Sequence, residues 1–490
     1  MTGNPEPPHG GAVHFDYFDA DFSPETEPNE IVDLCVIGLG YVGLPTAAVF
    51  AAAGLRVAGV DIDADRVDRI NAGCSELAEP GLDRMLRRAV QTGRLIARDH
   101  PVRARTSIIA VPTPLQADKT PDLRAVHAAG DALAPLLEPG STVILESTVP
   151  VGATRQLAER MAKARPDLSF PGSGPADVCV AHCPERVLPG RVLTELRNND
   201  RVIGGLDTAS AEAAADLFRR ILAGDCLLTD AETAEMTKLA ENAFRDINIA
   251  FANELETIAD TQGIDARTVI ALANRHPRVD ILEPGPGVGG HCIAIDPWFL
   301  AASGHGRSRL IPMARMVNDA RPAQIAARAA ELVEDLDRPV IACFGLTYKR
   351  DVKDLRESPA LTVVGHLARQ NLGPVLVVDP NVETLPSIAE CVHFVSAAEA
   401  IARADLAVLL VDHTEFTGLE ATFPDDMRRL DTRGLWSSAP RCAAGGLARS
   451  ARPGRAGTAT IGAIGLAAGA RQGTLATTAS AKQSGAAESD

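Results

Sequence analysis

The 490-residue sequence predicts an α/β protein in which two doubly wound parallel sheets are joined by a long helical segment. Two observations carry this prediction. Short buried-strand patterns alternate with helical patterns in residues 31–228, and the alternation restarts in residues 326–436. Between these blocks, residues 229–325 have a helical pattern. Residues 1–30 and 437–490 lack apolar periodicity, so we expect disordered extensions there.

The first block opens with a predicted strand at 31–37, a small-residue helix at 44–53 and a strand at 56–60. Further strands are predicted at 107–111, 142–146 and 178–181. Because helical patterns separate these strands, we expect a parallel sheet whose carboxyl edge binds the ligands.

The central segment begins with a long helix that Thr229 or Asp230 can cap. Its apolar positions follow a period of 3.6 residues: Met236, Leu239, Ala243, Ile247, Ala250 and Phe251. Spacings of four and three place Lys238, Asn242 and Arg245 on another stripe of the helix. This stripe is either a ligand-facing row or a solvated polar face.

The second block predicts strands at 339–344, 375–378 and 406–411. Their order repeats that of the first block, which indicates a duplication of fold but not of sequence. The block lacks a triple-glycine turn, so we expect it to bind a nucleotide differently or not at all.

Composition excludes several classes of protein. A net charge of −16 argues against a nucleic-acid partner, which requires clustered Lys and Arg. Nine cysteines without metal-type pairs fit a reducing, cytoplasmic compartment and predict no metal site. With no apolar run of 18 residues, we expect no membrane span.

The turn after the first strand carries Gly38, Gly40 and Gly43, and Asp61 ends the next strand. This spacing is typical of a dinucleotide site in a Rossmann-like domain: the glycines allow a tight turn, approach of the pyrophosphate and close packing of the helix. Asp61 would bind the ribose hydroxyls and repel a 2′-phosphate, so NAD is favoured over NADP. The alternative is an ordinary tight turn.

Three loops follow predicted strands at the carboxyl edge. Thr113 and Thr148 lie in Thr-Pro and Thr-Val-Pro turns and are candidate cofactor contacts, although such turns also form without a ligand. Glu185 and Arg186 follow the strand at 178–181. A carboxylate there can act as a general base on water, or it can form a surface ion pair.

Cys292 follows a glycine-rich segment, residues 284–290, and precedes Asp296 by four positions. We expect the glycines to admit a ligand, and a helix starting near Gly289 or Gly290 to favour the thiolate of Cys292. Asp296, one turn later, would share its face. The alternative is a structural thiol, because free cysteines are usually buried and inert.

Residues 31–436 resemble the UDP-glucose/GDP-mannose dehydrogenase family, most closely its bacterial branch acting on UDP-N-acetyl-D-mannosamine. Five segments carry the resemblance: residues 36–45, 183–190, 274–278, 287–298 and 354–360. It implies an NAD-binding domain, a central segment that forms a homodimer, and a UDP-binding domain. The implied reaction oxidises the C6 alcohol of a UDP-sugar to a uronate for surface polysaccharide synthesis, through a thiohemiacetal and a thioester on Cys292.

The resemblance also implies roles for individual residues. Lys238 and Asn242 would stabilise charge at C6, while Asp296, Glu185 and Thr148 would handle water and protons. The implied NAD contacts are Tyr41, Val42, Asp61, Arg66, Thr113, Thr148 and Arg356. The implied substrate contacts, besides Lys238 and Asn242, are Arg186, Val187, Arg245, His276, Arg278, Gly289, Tyr348 and Lys349.

The segment around the cysteine reads Gly-Gly-His-Cys-Ile-Ala-Ile-Asp, where the UDP-glucose branch has Gly-Gly-Ser-Cys-Phe-Pro-Lys-Asp. The missing lysine, together with His291, favours a 2-acetamido sugar over glucose. The alternatives are a 6-dehydrogenase of UDP-GlcNAc or UDP-glucose, a dehydrogenase that removes only two electrons, and a silent sugar-nucleotide-binding protein.

Overall fold

The structure, a computed structural model, describes residues 31–436 apart from residues 78, 173, 189, 291, 386 and 387. The two predicted extensions and His291 lie outside the described residues. All eight strands predicted in the two blocks are present, with ends that differ by up to three residues. They form two sheets flanked by helices, which confirms the predicted α/β class.

The first sheet is formed by β1 (Val32–Ile37), β2 (Val57–Val60), β3 (Leu95–Arg98), β4 (Ala104–Ile109), β5 (Thr142–Leu145), β6 (Cys179–His182), β7 (Arg201–Gly205) and β8 (Cys226–Asp230). Its helices are α1 (Gly43–Ala52), α2 (Ala64–Asn71), α3 (Leu82–Gln91), α4 (Arg124–Leu133), α5 (Ala153–Ala164), α6 (Val192–Asn198) and α7 (Thr208–Phe218), with a 3-10 turn at Ala134–Leu136. The strand order is β3-β2-β1-β4-β5-β6-β7-β8.

One strand of this sheet departs from the predicted parallel arrangement. β7 runs antiparallel to β6, with Ala181 opposite Gly205 and His182 opposite Gly204. The other pairs are parallel. Since β7 runs the other way, its first residues lie beside the chain that leaves the carboxyl end of β6.

Both faces of the first sheet are buried. Leu34 and Val36 of β1 belong to one apolar cluster, while Cys35 and Ile37 belong to the cluster on the opposite face. This alternation follows from the two-residue period of a strand. It explains why the strands read as continuous apolar runs.

The central segment contains α8 (Ala231–Thr261), α9 (Ala266–Ala273), α10 (Asp296–Ser303) and α11 (Leu310–Glu331). Asp230 caps α8, because its side chain accepts a hydrogen bond from the Thr233 amide at 2.8 Å. The predicted apolar face of α8 is only partly buried. Leu239, Ala243 and Ala250 pack inside, whereas Met236 and Phe251 are exposed.

The second sheet contains β9 (Ile341–Phe344), β10 (Val375–Val378), β11 (Val392–Phe394), β12 (Leu406–Leu409) and β13 (Arg428–Asp431). Helices α12 (Pro359–Gln370) and α13 (Ala397–Arg403) flank it, with 3-10 turns at Thr414–Phe416 and Leu419–Thr422. Its order, β11-β10-β9-β12-β13, repeats the order β3-β2-β1-β4-β5 of the first sheet.

The duplication of fold extends to the first turn of each sheet. Gly38 and Gly345 follow β1 and β9 with φ of 94° and 88°. The next amide in each turn, of Leu39 and Leu346, donates to the aspartate that ends the neighbouring strand, at 2.9 and 2.7 Å. These aspartates are Asp61 and Asp379. The predicted duplication is therefore confirmed.

Candidate active site

The turn between β1 and α1 uses each glycine for a different purpose. A side chain at Gly38 would meet the Ala110 carbonyl oxygen at 2.4 Å, and one at Gly43 would meet the Gly38 oxygen at 1.9 Å. Gly40, by contrast, faces open space, because a side chain there would have no neighbouring atom within 4 Å of its Cβ. The first and third glycines serve packing, and the second leaves room for a ligand.

Asp61, at the end of β2, is organised by its neighbours. Its carboxylate accepts the Leu39 amide at 2.9 Å and pairs with Arg66 Nη1 at 3.1 Å. A buried carboxylate beside the open turn at Gly40 is what the ribose of a dinucleotide requires. Tyr41 and Val42 complete the turn before α1. These residues fit NAD.

Thr113 and Thr148 come together at the carboxyl edge, as their positions after β4 and β5 predict. The Thr113 hydroxyl donates to the Thr148 carbonyl oxygen at 2.7 Å. Ser147, next to Thr148, donates to the Val111 carbonyl oxygen at 2.7 Å. The two loops therefore support each other beside the dinucleotide turn.

Cys292 does not lie in the first turn of a helix that starts at Gly289 or Gly290. Helix α10 begins at Asp296, and the amides of Ile295 and Asp296 donate to the Cys292 carbonyl oxygen at 3.0 and 2.9 Å. Cys292 thus belongs to the turn that precedes the helix. The predicted helix start is wrong.

The expected bias toward thiolate is also absent from the ligand-free chain. The thiol of Cys292 is reachable by solvent, yet the protein around it removes bulk hydration from a charged sulfur. This burial raises the pKa of Cys292, and the Asp296 carboxylate raises it further, while Lys238 and Arg245 oppose the shift. Lys238 and Arg245 are therefore the neighbouring groups that favour ionisation of the Cys292 thiol.

Asp296 is buried beside Asn242 of α8, whose side-chain amide donates to Asp296 Oδ2 at 2.6 Å. Burial raises the pKa of Asp296 to about 6, against the opposing effects of Lys238 and Asn242. Lys238 and Asn242 are themselves 9% and 8% exposed. The polar stripe predicted on α8 is therefore turned inward, toward α10 and the thiol, at these two positions.

The two halves of the chain meet at this cluster. Tyr41 of the dinucleotide turn interacts electrostatically with Tyr348, which follows β9, and with Cys292. The pKa of Tyr41 is raised mainly by burial and, to a smaller extent, by electrostatic repulsion from Glu79 and Tyr348. Arg356, paired with Asp354 at 2.6 Å, also lies within electrostatic range of Tyr41. Residues of both halves of the chain thus surround Cys292.

The glycines of residues 284–290 are packed against protein, contrary to the expectation that they admit a ligand. A Cβ at Gly289 would lie 2.4 Å from the Glu357 carbonyl oxygen, and one at Gly290 would lie 2.9 Å from the Tyr348 ring. Gly285 is similarly close to Arg433. Glycine is required here so that the segment before Cys292 can approach the second half of the chain.

Glu185 forms a buried ion pair and not a surface one. Its Oε2 accepts Arg201 Nη2 at 2.5 Å, and its Oε1 accepts the Arg186 amide at 2.6 Å. Arg201 also binds Glu146 at 3.2 Å. Sequence reasoning missed Arg201 and Glu146. Only the antiparallel pairing of β7 could have located Arg201 here.

The remaining predicted substrate contacts occupy varied positions. Arg186 pairs with Glu241 of α8 at 2.7 Å, and Val187 packs on the apolar core. The pKa of Lys349 is lowered mainly by burial, and the positive charge of the nearby Arg245 lowers it further. His276 and Arg278 are exposed after α9 and contact each other, through the Arg278 amide and His276 Nδ1 at 3.4 Å.

The described part of the chain contains no group of three or more His, Cys, Asp or Glu side chains that could hold a metal ion. In that same part of the chain, no helix has the length and apolar character needed to cross a bilayer.

A dinucleotide turn, with a cysteine that residues of both α/β halves approach, is what an NAD-dependent dehydrogenase of this architecture contains. Family profiles identify which family of dehydrogenases the chain matches. The NAD binding domain of the UDP-glucose/GDP-mannose dehydrogenase family matches residues 32–222, its central domain matches 232–320, and its UDP binding domain matches 342–437. The chain belongs to this family and is an NAD-dependent nucleotide-sugar dehydrogenase.

Individual relatives cover most of the chain. It is 51% identical to an NDP-N-acetyl-D-galactosaminuronic acid dehydrogenase of Ralstonia nicotianae, over 83% of this chain and 96% of the relative. It is 49% identical to a UDP-N-acetyl-D-mannosamine dehydrogenase of Yersinia pestis, over 82% and 99%. The solved UDP-D-ManNAc dehydrogenase of Pyrococcus horikoshii is 37% identical, with a TM-score of 0.75 and coverage of 84% and 97%.

Proposed function

We propose that this chain oxidises the C6 hydroxyl of UDP-N-acetyl-D-mannosamine to a uronate, through covalent intermediates on Cys292, for surface polysaccharide synthesis. The observation that carries the proposal is the grouping of the Cys292 thiol with Asp296, Asn242 and Lys238. A dehydrogenase that stops at the aldehyde needs no nucleophilic thiol. One that continues to the acid does.

The first stage requires stabilisation of negative charge at C6. Lys238 and Asn242 project from one face of α8 into the buried cluster, where a cation and an amide donor are more effective than in water. The turn at residues 38–43 would hold NAD⁺, which would supply the hydride acceptor at the alcohol stage, and a second NAD⁺ molecule would supply it at the adduct stage. Lys238 and Asn242 hold the oxygen on C6 at both stages.

The covalent stage uses Cys292. Its sulfur adds to the C6 aldehyde to form a thiohemiacetal, and loss of hydride from C6 converts this adduct to a thioester. Water then attacks the thioester carbon, with Glu185, Asp296 and Thr148 as the candidate groups that hold water and accept its proton. Lys238 and Arg245 oppose the raised pKa of Cys292, so they favour its departure as thiolate.

The choice of an N-acetylated sugar rests on Ile295, which replaces the lysine of the UDP-glucose branch directly before Asp296. The name of the Yersinia pestis relative agrees with this choice. The Ralstonia nicotianae relative favours a second candidate, an N-acetyl-D-galactosamine nucleotide. Both candidates carry the same 2-acetamido group and differ in ring stereochemistry.

A panel of nucleotide sugars tests the proposal. Purified protein is incubated with NAD⁺ and UDP-ManNAc, UDP-GlcNAc, UDP-GalNAc or UDP-glucose, and NADH and uronate are both quantified. We expect turnover with UDP-ManNAc and two NADH per uronate. Turnover with another sugar alone refutes the substrate, one NADH per product indicates a two-electron enzyme, and binding without NADH indicates a silent binding protein.

The same assay tests the covalent mechanism. Cys292→Ala removes the nucleophile, so we expect uronate formation to fall by at least about 100-fold. Cys74→Ala, at another exposed cysteine, is the matched control. Normal uronate production by Cys292→Ala would contradict covalent catalysis.

We further propose that two copies associate through α8. Four large apolar side chains, Met236, Phe244, Phe251 and Ile258, are 48–65% exposed along this helix. Spacings of eight, seven and seven keep them on one stripe, opposite the buried polar residues. A second copy of the same helix is the occupant whose shape and apolar pattern match this stripe.

The cytoplasmic location stays a prediction from cysteine usage.

A further inference from the structure

Arg201 occupies an unusual position for a charged side chain. It is the first residue of β7, and its side chain is 4% exposed. Because β7 is antiparallel to β6, Arg201 lies at the carboxyl edge of the neighbouring parallel strands and not at the opposite edge. Glu146 follows β5 and Glu185 follows β6 at this same edge.

Arg201 binds both carboxylates with separate nitrogens. Nη1 donates to Glu146 Oε1 at 3.2 Å, and Nη2 donates to Glu185 Oε2 at 2.5 Å. The guanidinium also contacts Cys183 Sγ at 3.8 Å and lies 4.8 Å from the centre of the Phe218 ring. The rigid fork of an arginine, unlike a lysine ammonium, can hold two acids in fixed directions.

The orientation of Glu185 depends on this contact. Its two oxygens accept the Arg186 amide and Arg201 Nη2. The amide is a neighbour in sequence and cannot by itself select the side-chain direction. Arg201 is therefore the long-range contact that sets where the Glu185 carboxylate points.

When both acids are ionised, the cluster carries one more negative charge than positive charges, because the single guanidinium of Arg201 faces the carboxylates of Glu146 and Glu185. Cys183 adds no charge, since burial raises its pKa to about 12 and it stays a thiol. The Thr46 hydroxyl, from α1, contacts Glu146 at 3.4 Å. Burial raises the pKa of Glu146 to about 7; Arg201 opposes this shift and Glu185 adds to it. Glu146 therefore holds its proton more readily than an exposed carboxyl while it shares Arg201 with Glu185.

We propose that Arg201, held by Glu146, is a positioning residue that directs the Glu185 carboxylate toward water for hydrolysis of the Cys292 thioester. This inference rests on the proposed function. In the step, the water oxygen bonds to the thioester carbon and one water proton passes to Glu185. The carbon–sulfur bond breaks, its electron pair leaves with Cys292 Sγ, and the second proton leaves when the product acid ionises.

Arg201→Lys is the decisive variant, because it keeps the buried charge but cannot hold both acids. Arg219→Lys, in an exposed ion pair with Glu212 and Asp216, is the matched control. The first NADH burst and the later release of uronate are measured separately. Intact-protein mass after acid quench detects sugar nucleotide attached to Cys292.

We expect Arg201→Lys to slow uronate release by about 10- to 100-fold while the first hydride transfer changes by less than about twofold. The adduct on Cys292 should therefore accumulate in this variant and not in Arg219→Lys. A purely structural role would lower both stages together without accumulation. That result would overturn the inference.

Glu146→Gln supplies an independent readout. Adduct decay in the parent protein should change with pH as Glu146, whose pKa is raised by burial, gains or loses its proton while it shares Arg201 with Glu185. Glu146→Gln should flatten this part of the profile, because glutamine does not titrate. A Glu146→Gln profile identical to that of the parent protein contradicts the part assigned to Glu146.

The two proposals fail in different ways. If the parent protein forms a quenchable adduct but Arg201→Lys hydrolyses it at the parental rate, only the inference about Arg201 is wrong. If no variant forms an adduct and Cys292→Ala still makes uronate, the covalent mechanism is wrong and the inference falls with it.

Discussion

Asp296 shows how a single buried acid connects stability to chemistry. It is 3% exposed and its carboxylate, with a pKa raised to about 6, accepts a hydrogen bond from Asn242. An acid with this pKa is mostly ionised at pH 8, but the charge is held at a cost in stability. Such a cost is expected at a catalytic position and not in an ordinary core.

We predict that Asp296→Asn stabilises the protein at pH 8 and inactivates it. Because the folded pKa lies above the ordinary 3.8, the carboxyl is least costly below pH 4 and its stabilising proton is lost as pH rises through 6. The shift corresponds to roughly 3 kcal/mol. Thermal unfolding at pH 5 and pH 8 measures the effect, and NADH formation should fall by at least about 100-fold.

Asp207→Asn, at the start of α7, is the control for this prediction, because asparagine preserves the cap on the Ser210 amide. Equal thermal midpoints for Asp296→Asn and the parent protein at pH 8 would contradict the assigned cost. The activity of the parent protein should decline as pH falls through about 6, where Asp296 takes up its proton.

In the turn between β1 and α1, one glycine is required for packing and another for cofactor binding. We predict that Gly43→Ala lowers thermal stability, because its Cβ would lie 1.9 Å from the Gly38 carbonyl oxygen. Gly40→Ala should fold normally, since no atom lies within 4 Å of its Cβ, but should bind NAD⁺ about tenfold or more weakly.

Thermal unfolding and NAD⁺ titration separate these two variants, which serve as controls for each other. Unchanged NAD⁺ affinity in Gly40→Ala would mean that the open space at this turn does not receive the cofactor. An unchanged thermal midpoint in Gly43→Ala would mean that the turn can shift to accept a methyl group.

The elements that sequence patterns missed share a physical cause. The unpredicted strands β3, β8, β11 and β13 are the edge strands of the two sheets, and the unpredicted β7 depends on its pairing with β6 and β8. Their extended conformation is stabilised by ladder hydrogen bonds to neighbours that are remote in sequence. The strands that were predicted, such as β1 and β9, are central and buried on both faces.

At the level of the whole molecule, the exposed stripe on α8 predicts association. Phe244→Glu combined with Phe251→Glu places charges in the proposed interface, so the dimer should dissociate to monomers in light scattering after gel filtration. Ala327→Glu, at an exposed position of α11, is the matched control. A parent protein that is monomeric at micromolar concentration would contradict the proposed dimer.

The division into domains at 228/229 and 325/326 stays a prediction, as do the individual roles of the site residues. Cys292 and Asp296 were predicted from the glycine-rich segment, and Lys238 and Asn242 from their spacing on one helix. The structure brings the four residues together. It places His276 and Arg278 on the surface, where their exposed side chains have no hydrogen bond to that cluster among the described residues.

Local patterns were sufficient for the α/β class, the dinucleotide turn and the candidate thiol, because two-residue and 3.6-residue periods and glycine spacing are properties of short segments. The tertiary structure decided which way β7 runs, and thereby placed Arg201 between Glu146 and Glu185. It also decided that the glycines before Cys292 pack against the second half of the chain, and that the Cys292 pKa is raised. These properties depend on burial and charge contributed by residues far apart in sequence, which no local pattern records.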